Sequence, residues 1–398
     1  GPELYGKYTF GLTYILLFSI LSNFGIETLF VREAARNKNN IMTMFMDIMH
    51  LKCILALFTI IVIAVSVNIL NYQASTVNVI YILSIGMFFQ IMYMTLMSVY
   101  KSVEKMSVVA FFSVFFRITT ALMVVGSVYI GLGLMGIVWT FTIGNALVFL
   151  SSCLFFYKDY RIFHFQFNLK IWKSLITKGL PFYLSALLTM VYMKINVIML
   201  SKMQGELELG YFMAAATLVE TLYFMPEAVN GSLFPAFSRL YGHSMTALKK
   251  TYLKMIKYVI LITTAVCGGC LLIGDKILLL IYGDAFIKSA PTLNILIFAW
   301  AFTFFAQMMS NLLFTINKEY IQVRVMCLAC VINILLNFLM INEYGIVGSA
   351  YALVLTEGTV VVFVASFLWK SDLKYVPDWT IILRLVGALI VMSVFVRI

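Results

Sequence analysis

Blocks of twenty or more apolar residues follow one another along the 398-residue chain, and only short polar joints separate them. At about 1.5 Å per helical residue, each block is long enough to cross a hydrocarbon core of about 30 Å. Backbone polar groups inside lipid must be satisfied within the segment or in a closed barrel, so runs of this length read as helices. The composition agrees: 63% of residues are hydrophobic and 11% charged, with a mean hydropathy of +0.99, against about 25% charged residues in a soluble domain. The expected fold is an all-α polytopic membrane protein. Hydropathy places spans at about 5–30, 41–70, 76–100, 107–131, 134–157, 173–202, 207–237, 249–274, 291–315, 319–341, 346–369 and 378–398.

The net charge of +11 and pI near 9.2 match what a nucleic-acid-binding protein often shows, but the distribution of the cations argues for membrane orientation instead. Alternate joints hold Arg32, Arg36 and Lys38; Lys101 and Lys105; Lys158, Arg161, Lys170, Lys173 and Lys178; Arg239, Lys249, Lys250, Lys254 and Lys257; Lys318 and Arg324; Lys370 and Lys374. The opposite joints hold only Lys7, Lys202, Lys276, Lys288 and Arg397. Cation-rich loops stay on the cytoplasmic side, so the first set faces the cytoplasm and Gly1 begins outside. A helix before Gly1 is then expected. No nucleic-acid partner is required.

Internal similarity points the same way. Gly1 to Tyr8, G-P-E-L-Y-G-K-Y, aligns with Gly205 to Phe212, G-E-L-E-L-G-Y-F, and each string runs into a span. Gly133-x-x-Gly136 aligns in the same manner with Gly345-x-x-Gly348. Two like-oriented copies of six helices are implied, related by an even helix count. This arrangement divides the chain into an N-terminal lobe at 1–157 that lacks its first helix, an inter-lobe segment at 158–172, a C-terminal lobe at 173–370, and an additional helix at 371–398. The inter-lobe segment mixes aromatics and cations as an amphipathic stretch at the headgroup level does; it reads as a linker anchored by snorkelling lysines or as a lipid sensor.

Charges deep within a span are costly and therefore mark candidate functional positions. They are Arg117, Lys194, Glu220 and Glu357. The competing reading is a buried structural ion pair, for instance Lys194 with Glu220. Asp47, His50 and Lys52 lie close enough to a span end to snorkel and are set aside. Pro226 interrupts a span and is expected to kink it, as a gate or as a packing feature. The pairs Cys267/Cys270 and Cys327/Cys330 have C-x-x-C spacing, but they sit in apolar blocks without a nearby His or carboxylate and read as packing residues. No catalytic constellation, metal site or cofactor motif is present in the pattern. No G-x-x-x-x-G-K-[S/T] string occurs, so ATP hydrolysis by this chain is not expected.

Several strings resemble the Wzx-type polysaccharide flippases of the multidrug/oligosaccharidyl-lipid/polysaccharide (MOP) exporter superfamily. They are L-P-F-Y-L-S at 180–185, Y-M-K-I-N-V-I-M-L-S at 192–201, Gly210-Tyr211, F-P-A-F-S-R-L at 234–240, G-D-A-F-I-K-S-A-P-T-L-N-I-L at 283–296, the opening octapeptide, and V-R-E-A-A-R at 31–36. The resemblance implies two pseudo-symmetric six-helix bundles plus C-terminal helices, twelve visible of fourteen. It implies a prokaryotic multi-pass cell-membrane protein, monomeric and not an enzyme, that flips polyprenyl-pyrophosphate-linked oligosaccharide alongside polysaccharide assembly proteins. Lys194 and Arg117 would then contact the diphosphate, with Glu220, Glu357 and Pro226 in coupling and gating. In one branch an Asp stands where this chain has Asn196 and joins a sodium site; here Asn333 and Asn337 would complete an all-amide set, with Na+ or H+ as the coupling ion. The alternative on the same fold is a drug/cation antiporter of the multidrug and toxin extrusion (MATE) type.

Overall fold

The computed structural model describes residues 1–27, 29–30, 41–160, 169–316 and 318–369, and every regular element among them is helical. The helices are α1 (Pro2–Asn23), α2 (Ile41–Ile69), α3 (Ala74–Ser102), α4 (Met106–Tyr129), α5 (Gly133–Tyr160), α6 (Leu169–Thr221), α7 (Phe224–His243), α8 (Met245–Tyr282), α9 (Ala290–Thr315) and α10 (Glu319–Trp369). A 3-10 turn, Asp284–Ser289, leads into α9.

Nine stretches among the described residues are long and apolar enough to cross a membrane. Two of these are of double length, Ala186–Asn230 and Tyr320–Trp369. Their helices change direction at single glycines with left-handed backbone, Gly205 (φ 86°) in α6 and Gly345 (φ 57°) in α10, a conformation that side chains with a Cβ resist. Eleven of the expected spans lie on these helices. The twelfth, 378–398, and the additional helix placed at 371–398 lie outside the described residues.

The two parts of α10 form an antiparallel hairpin. Gly348 packs against the Met340 carbonyl so closely that a Cβ there would collide with it. Ser349 reaches Asn337 and Thr356 reaches Asn333, so partners drift apart in opposite directions from the turn at Gly345. The sequence-equivalent Gly133 also has left-handed backbone (φ 62°).

The chain forms two compact units, Lys7–Lys194 and Gly1–Gly6 with Ile195–Ile398. In the first, Phe45, Leu96, Tyr100, Val148 and Phe156 are buried together with Trp172 and Leu175 of α6. The opening turns of α6, placed by the sequence at the head of the C-terminal lobe, therefore pack in the unit that ends at Lys194. Phe45 and Phe156 rings meet at 5.1 Å, and Thr142 of α5 donates to the Ile82 carbonyl of α3 at 2.8 Å. Between helices in lipid, close packing and such hydrogen bonds replace the hydrophobic drive available in water.

In the second unit α9 is the most enclosed of the long helices, with Trp300, Phe304, Met308 and Leu312 wholly buried. The amino-terminal turn of α1 belongs here as well. Tyr5 bonds Thr217 at 3.1 Å and meets the rings of Tyr282 and Phe286 edge-on. Gly6 lies against the Glu206 carbonyl, and Gly210 lies against the Pro2 carbonyl.

Candidate functional site

One group of polar side chains in the second unit joins three helices, α7, α9 and α10. On α9, Thr303, Gln307, Ser310 and Asn311 are spaced i, i+4, i+7 and i+8, which puts them on one face. Asn230 of α7 donates to Gln307 Oε1 at 2.9 Å, and Asn311 donates to Asn230 Oδ1. Ser310 Oγ donates to Gln322 Oε1 of α10 at 2.8 Å. Polar side chains thus bond one another across apolar helices in two sets, Gln307–Asn230–Asn311 between α9 and α7 and Ser310–Gln322 between α9 and α10.

A second network lies within the α10 hairpin. Ser349 Oγ donates to Asn337 Oδ1 at 2.8 Å, and Asn337 Nδ2 donates to Asn333 O at 2.9 Å and to Asn333 Oδ1 at 3.2 Å. Asn333 Nδ2 reaches Thr356 Oγ1 at 3.4 Å. All four side chains are at 0% exposure. The sequence reading named Asn333 and Asn337, and the structure joins them. It missed Ser349 and Thr356, whose only signal was that they follow the Gly345 turn in the returning segment of the hairpin. Asn196, on α6, is buried but no hydrogen bond ties it to this network among the described residues, and its Oδ1 is unsatisfied.

Thr356 is followed by Glu357, which is 8% exposed. Tyr223, at the break between α6 and α7, lies within electrostatic reach of Glu357 and Glu220 and beside Thr303. Two carboxylates named separately from the sequence and Thr303 of the α9 stripe therefore converge around one tyrosine. Glu220 itself is exposed, in the last turn of α6. Pro226 does not interrupt a helix. The chain breaks earlier, at Leu222–Tyr223, with Tyr223 N–H bonded to the Glu220 carbonyl at 3.1 Å, and Pro226 occupies the first turn of α7. A proline there lacks only an N–H that has no helical partner, so the expected freed carbonyls do not arise from it.

In the first unit, Arg117 is exposed on α4, and among the described residues no carboxylate pairs with it. Lys194 is half-buried on α6. Lys52 corrects the sequence reading. Instead of snorkelling it is 1% exposed, with Nζ 2.6 Å from Glu27 Oε1 and 3.3 Å from Asn23 Oδ1. Asp47, also set aside as a snorkelling residue, is 2% exposed. A buried ammonium keeps its charge only beside a counter-charge, and Glu27 supplies it. The four cysteines with C-x-x-C spacing are free thiols; Cys267 lies against the Ile297 carbonyl at 3.6 Å.

The sequence profile described as Polysaccharide biosynthesis protein matches residues 1–241. A protein of Shigella dysenteriae named "Putative O-antigen transporter" is 27% identical over 46% of this chain and 46% of its own length. A protein of the same name from Shigella flexneri is 23% identical over 50% of this chain and 48% of its own length. The chain therefore aligns with about half the length of these curated relatives. Among solved structures, a lipid II flippase MurJ in an inward closed conformation superposes with a TM-score of 0.79 at 14% identity, covering 99% of this chain and 86% of that one. An inward-facing multidrug resistance MATE family transporter of the MOP superfamily gives 0.73 at 15% identity, covering 94% and 92%. The profile covers more than half of the sequence and the described helices superpose on MOP structures: the chain belongs to the polysaccharide biosynthesis protein family and has the fold of the MOP superfamily.

Proposed function

We propose that the chain carries a polyprenyl-pyrophosphate-linked oligosaccharide across the prokaryotic cytoplasmic membrane by alternating access, for surface polysaccharide assembly, and performs no covalent chemistry. The observation that carries this reading is Arg117, an exposed guanidinium midway along an apolar membrane helix with no carboxylate partner among the described residues. Such a group is costly in lipid unless it meets an anion, and a guanidinium matches phosphate geometry. Lys194 is the second cation proposed for the diphosphate. Support comes from the family profile and from the O-antigen transporter relatives.

Coupling is assigned to the carboxylates rather than to sodium. The set Asn196, Asn333 and Asn337 holds no negative charge, and amides alone hold Na+ poorly against water. Glu357, with Glu220 across Tyr223, is the group suited to take up and release a proton.

The test is complementation. A strain deleted for its own O-antigen flippase should regain surface polysaccharide when this chain is expressed, and lose it with Arg117→Ala or Lys194→Ala at equal membrane abundance. Unchanged export in both variants removes the diphosphate assignment. Absent polysaccharide together with efflux of cationic dyes supports the drug/cation antiporter, to which the MATE neighbours point.

A further inference from the structure

In the second unit an apolar groove of about 290 Å³ opens between α7 and α8. Leu233 and Ile262 form its sides and the buried Phe304 its floor. Thr251, Lys254 and Tyr258 line its other end. Lys254, Tyr258 and Ile262 succeed one another at i, i+4 and i+8, so they run down one face of α8 over about 12 Å.

The charge around this groove is of a single sign. No acidic residue occurs between Glu227 and Asp275, whereas Arg239, Lys249, Lys250, Lys254 and Lys257 do. Lys250, Lys254 and Lys257 share a helix face at i, i+4 and i+7, where like charges repel. Among the described residues no carboxylate pairs with Lys250 or Lys254. From Tyr258 onward α8 is uncharged until Asp275, so the lysines mark the level at which the helix enters hydrocarbon. Lys254 Nζ stands 6.0 Å above the Tyr258 ring, and that ring is 56% exposed. Tyrosine and lysine at that level are a headgroup pairing. This end of the bundle carries the cation-rich joints, which places it on the cytoplasmic side.

We infer that the groove is a binding site for an anionic phospholipid of the cytoplasmic leaflet. One acyl chain lies between α7 and α8 on Phe304, and the phosphate rests on Lys250 and Lys254 beside Tyr258. The match is one of charge and depth together: an unpaired cation pair at the headgroup level directly above an apolar slot. The site is independent of the diphosphate assignment, because neither Arg117 nor Lys194 takes part.

Native mass spectrometry of the purified full chain tests it, with phosphatidylglycerol and phosphatidylethanolamine of equal chain length titrated separately. The expected result is preferential binding of the first phosphatidylglycerol, weakened by about fivefold for each lysine lost in Lys250→Gln and Lys254→Gln. Ile262→Trp, which fills the slot without changing charge, should weaken both lipids. Lys288→Gln, in the turn before α9, should leave the preference intact. Equal affinity for the two lipids overturns the proposal, as does a preference that survives the double lysine variant or that Lys288→Gln abolishes equally. So does a result in which undecaprenyl phosphate binds the groove and phosphatidylglycerol does not.

Discussion

Gly6 and Gly210 hold equivalent places in the two sequence repeats and make reciprocal contacts: Gly6 lies on the carbonyl of Glu206, and Gly210 lies on the carbonyl of Pro2. Pro2 and Glu206 are themselves equivalent, at the second position of each octapeptide. A single local twofold thus relates the first turn of α1 to the start of the second part of α6. Each helix approaches the other until no Cβ fits on either side.

Replacing either glycine by Ala should cost about 1–3 kcal/mol, since backbone rather than a flexible side chain must move. Gly126, in α4, has nothing within 4 Å of a built Cβ, and Gly126→Ala should instead stabilise by up to about 1 kcal/mol. Thermal unfolding in detergent separates the two cases. Equal effects at Gly6 and Gly126 would contradict the close crossing.

Lys52 and Glu27 should behave as a unit. Lys52→Met alone leaves a carboxylate in a mostly buried site and should destabilise by about 3 kcal/mol, whereas Lys52→Met with Glu27→Gln should recover most of that loss. A double-mutant cycle on unfolding free energy reads the coupling. Additive losses would show that the 2.6 Å contact contributes nothing of its own.

The α10 amides give a prediction in two directions. Asn337→Ala strands Ser349 and part of Asn333, at about 1–3 kcal/mol. Asn337→Asp introduces a negative charge into a set of oxygen ligands and should make the melting temperature rise in NaCl relative to KCl, which the wild-type chain should not show. Sodium-specific stabilisation of the wild type would return Asn196, Asn333 and Asn337 to the role of an ion site.

Proton coupling through Glu357 is tested by the pH dependence of export. In vesicles with an imposed pH gradient, Glu357→Gln should remove the response to the gradient and leave binding of the lipid-linked substrate intact. A gradient response that persists in Glu357→Gln, but not in Glu220→Gln, would transfer the role to Glu220.

The helices were legible because lipid leaves few alternatives: a block of twenty apolar residues has to be helical, and its ends follow from the polar joints. The repeat was legible because glycines at helix crossings and turns leave a fixed imprint, as Gly6 with Gly210 and Gly133 with Gly345 do. Partnership was not. Lys52 was read as snorkelling because distance from a loop says nothing of Glu27, a neighbour supplied by another segment. Pro226 was taken for the interruption because proline is the visible breaker, while the break itself falls on Leu222 and Tyr223, which have no such signature. Asn333 and Asn337 could be picked out as polar residues in an apolar run, but Ser349 and Thr356 became their partners only through the turn at Gly345.

The α10 hairpin also bears on how the chain enters the bilayer. Presented singly, a helix carrying Asn333 and Asn337 would expose two amides to acyl chains, each a barrier to leaving the translocon. Folded back at Gly345, its own following segment supplies Ser349 and Thr356, so the two segments can partition as one pre-satisfied pair. The pairing that later closes the interior of the hairpin then also lowers the cost of insertion, and a lesion at Ser349 should show as a reduced yield of inserted protein.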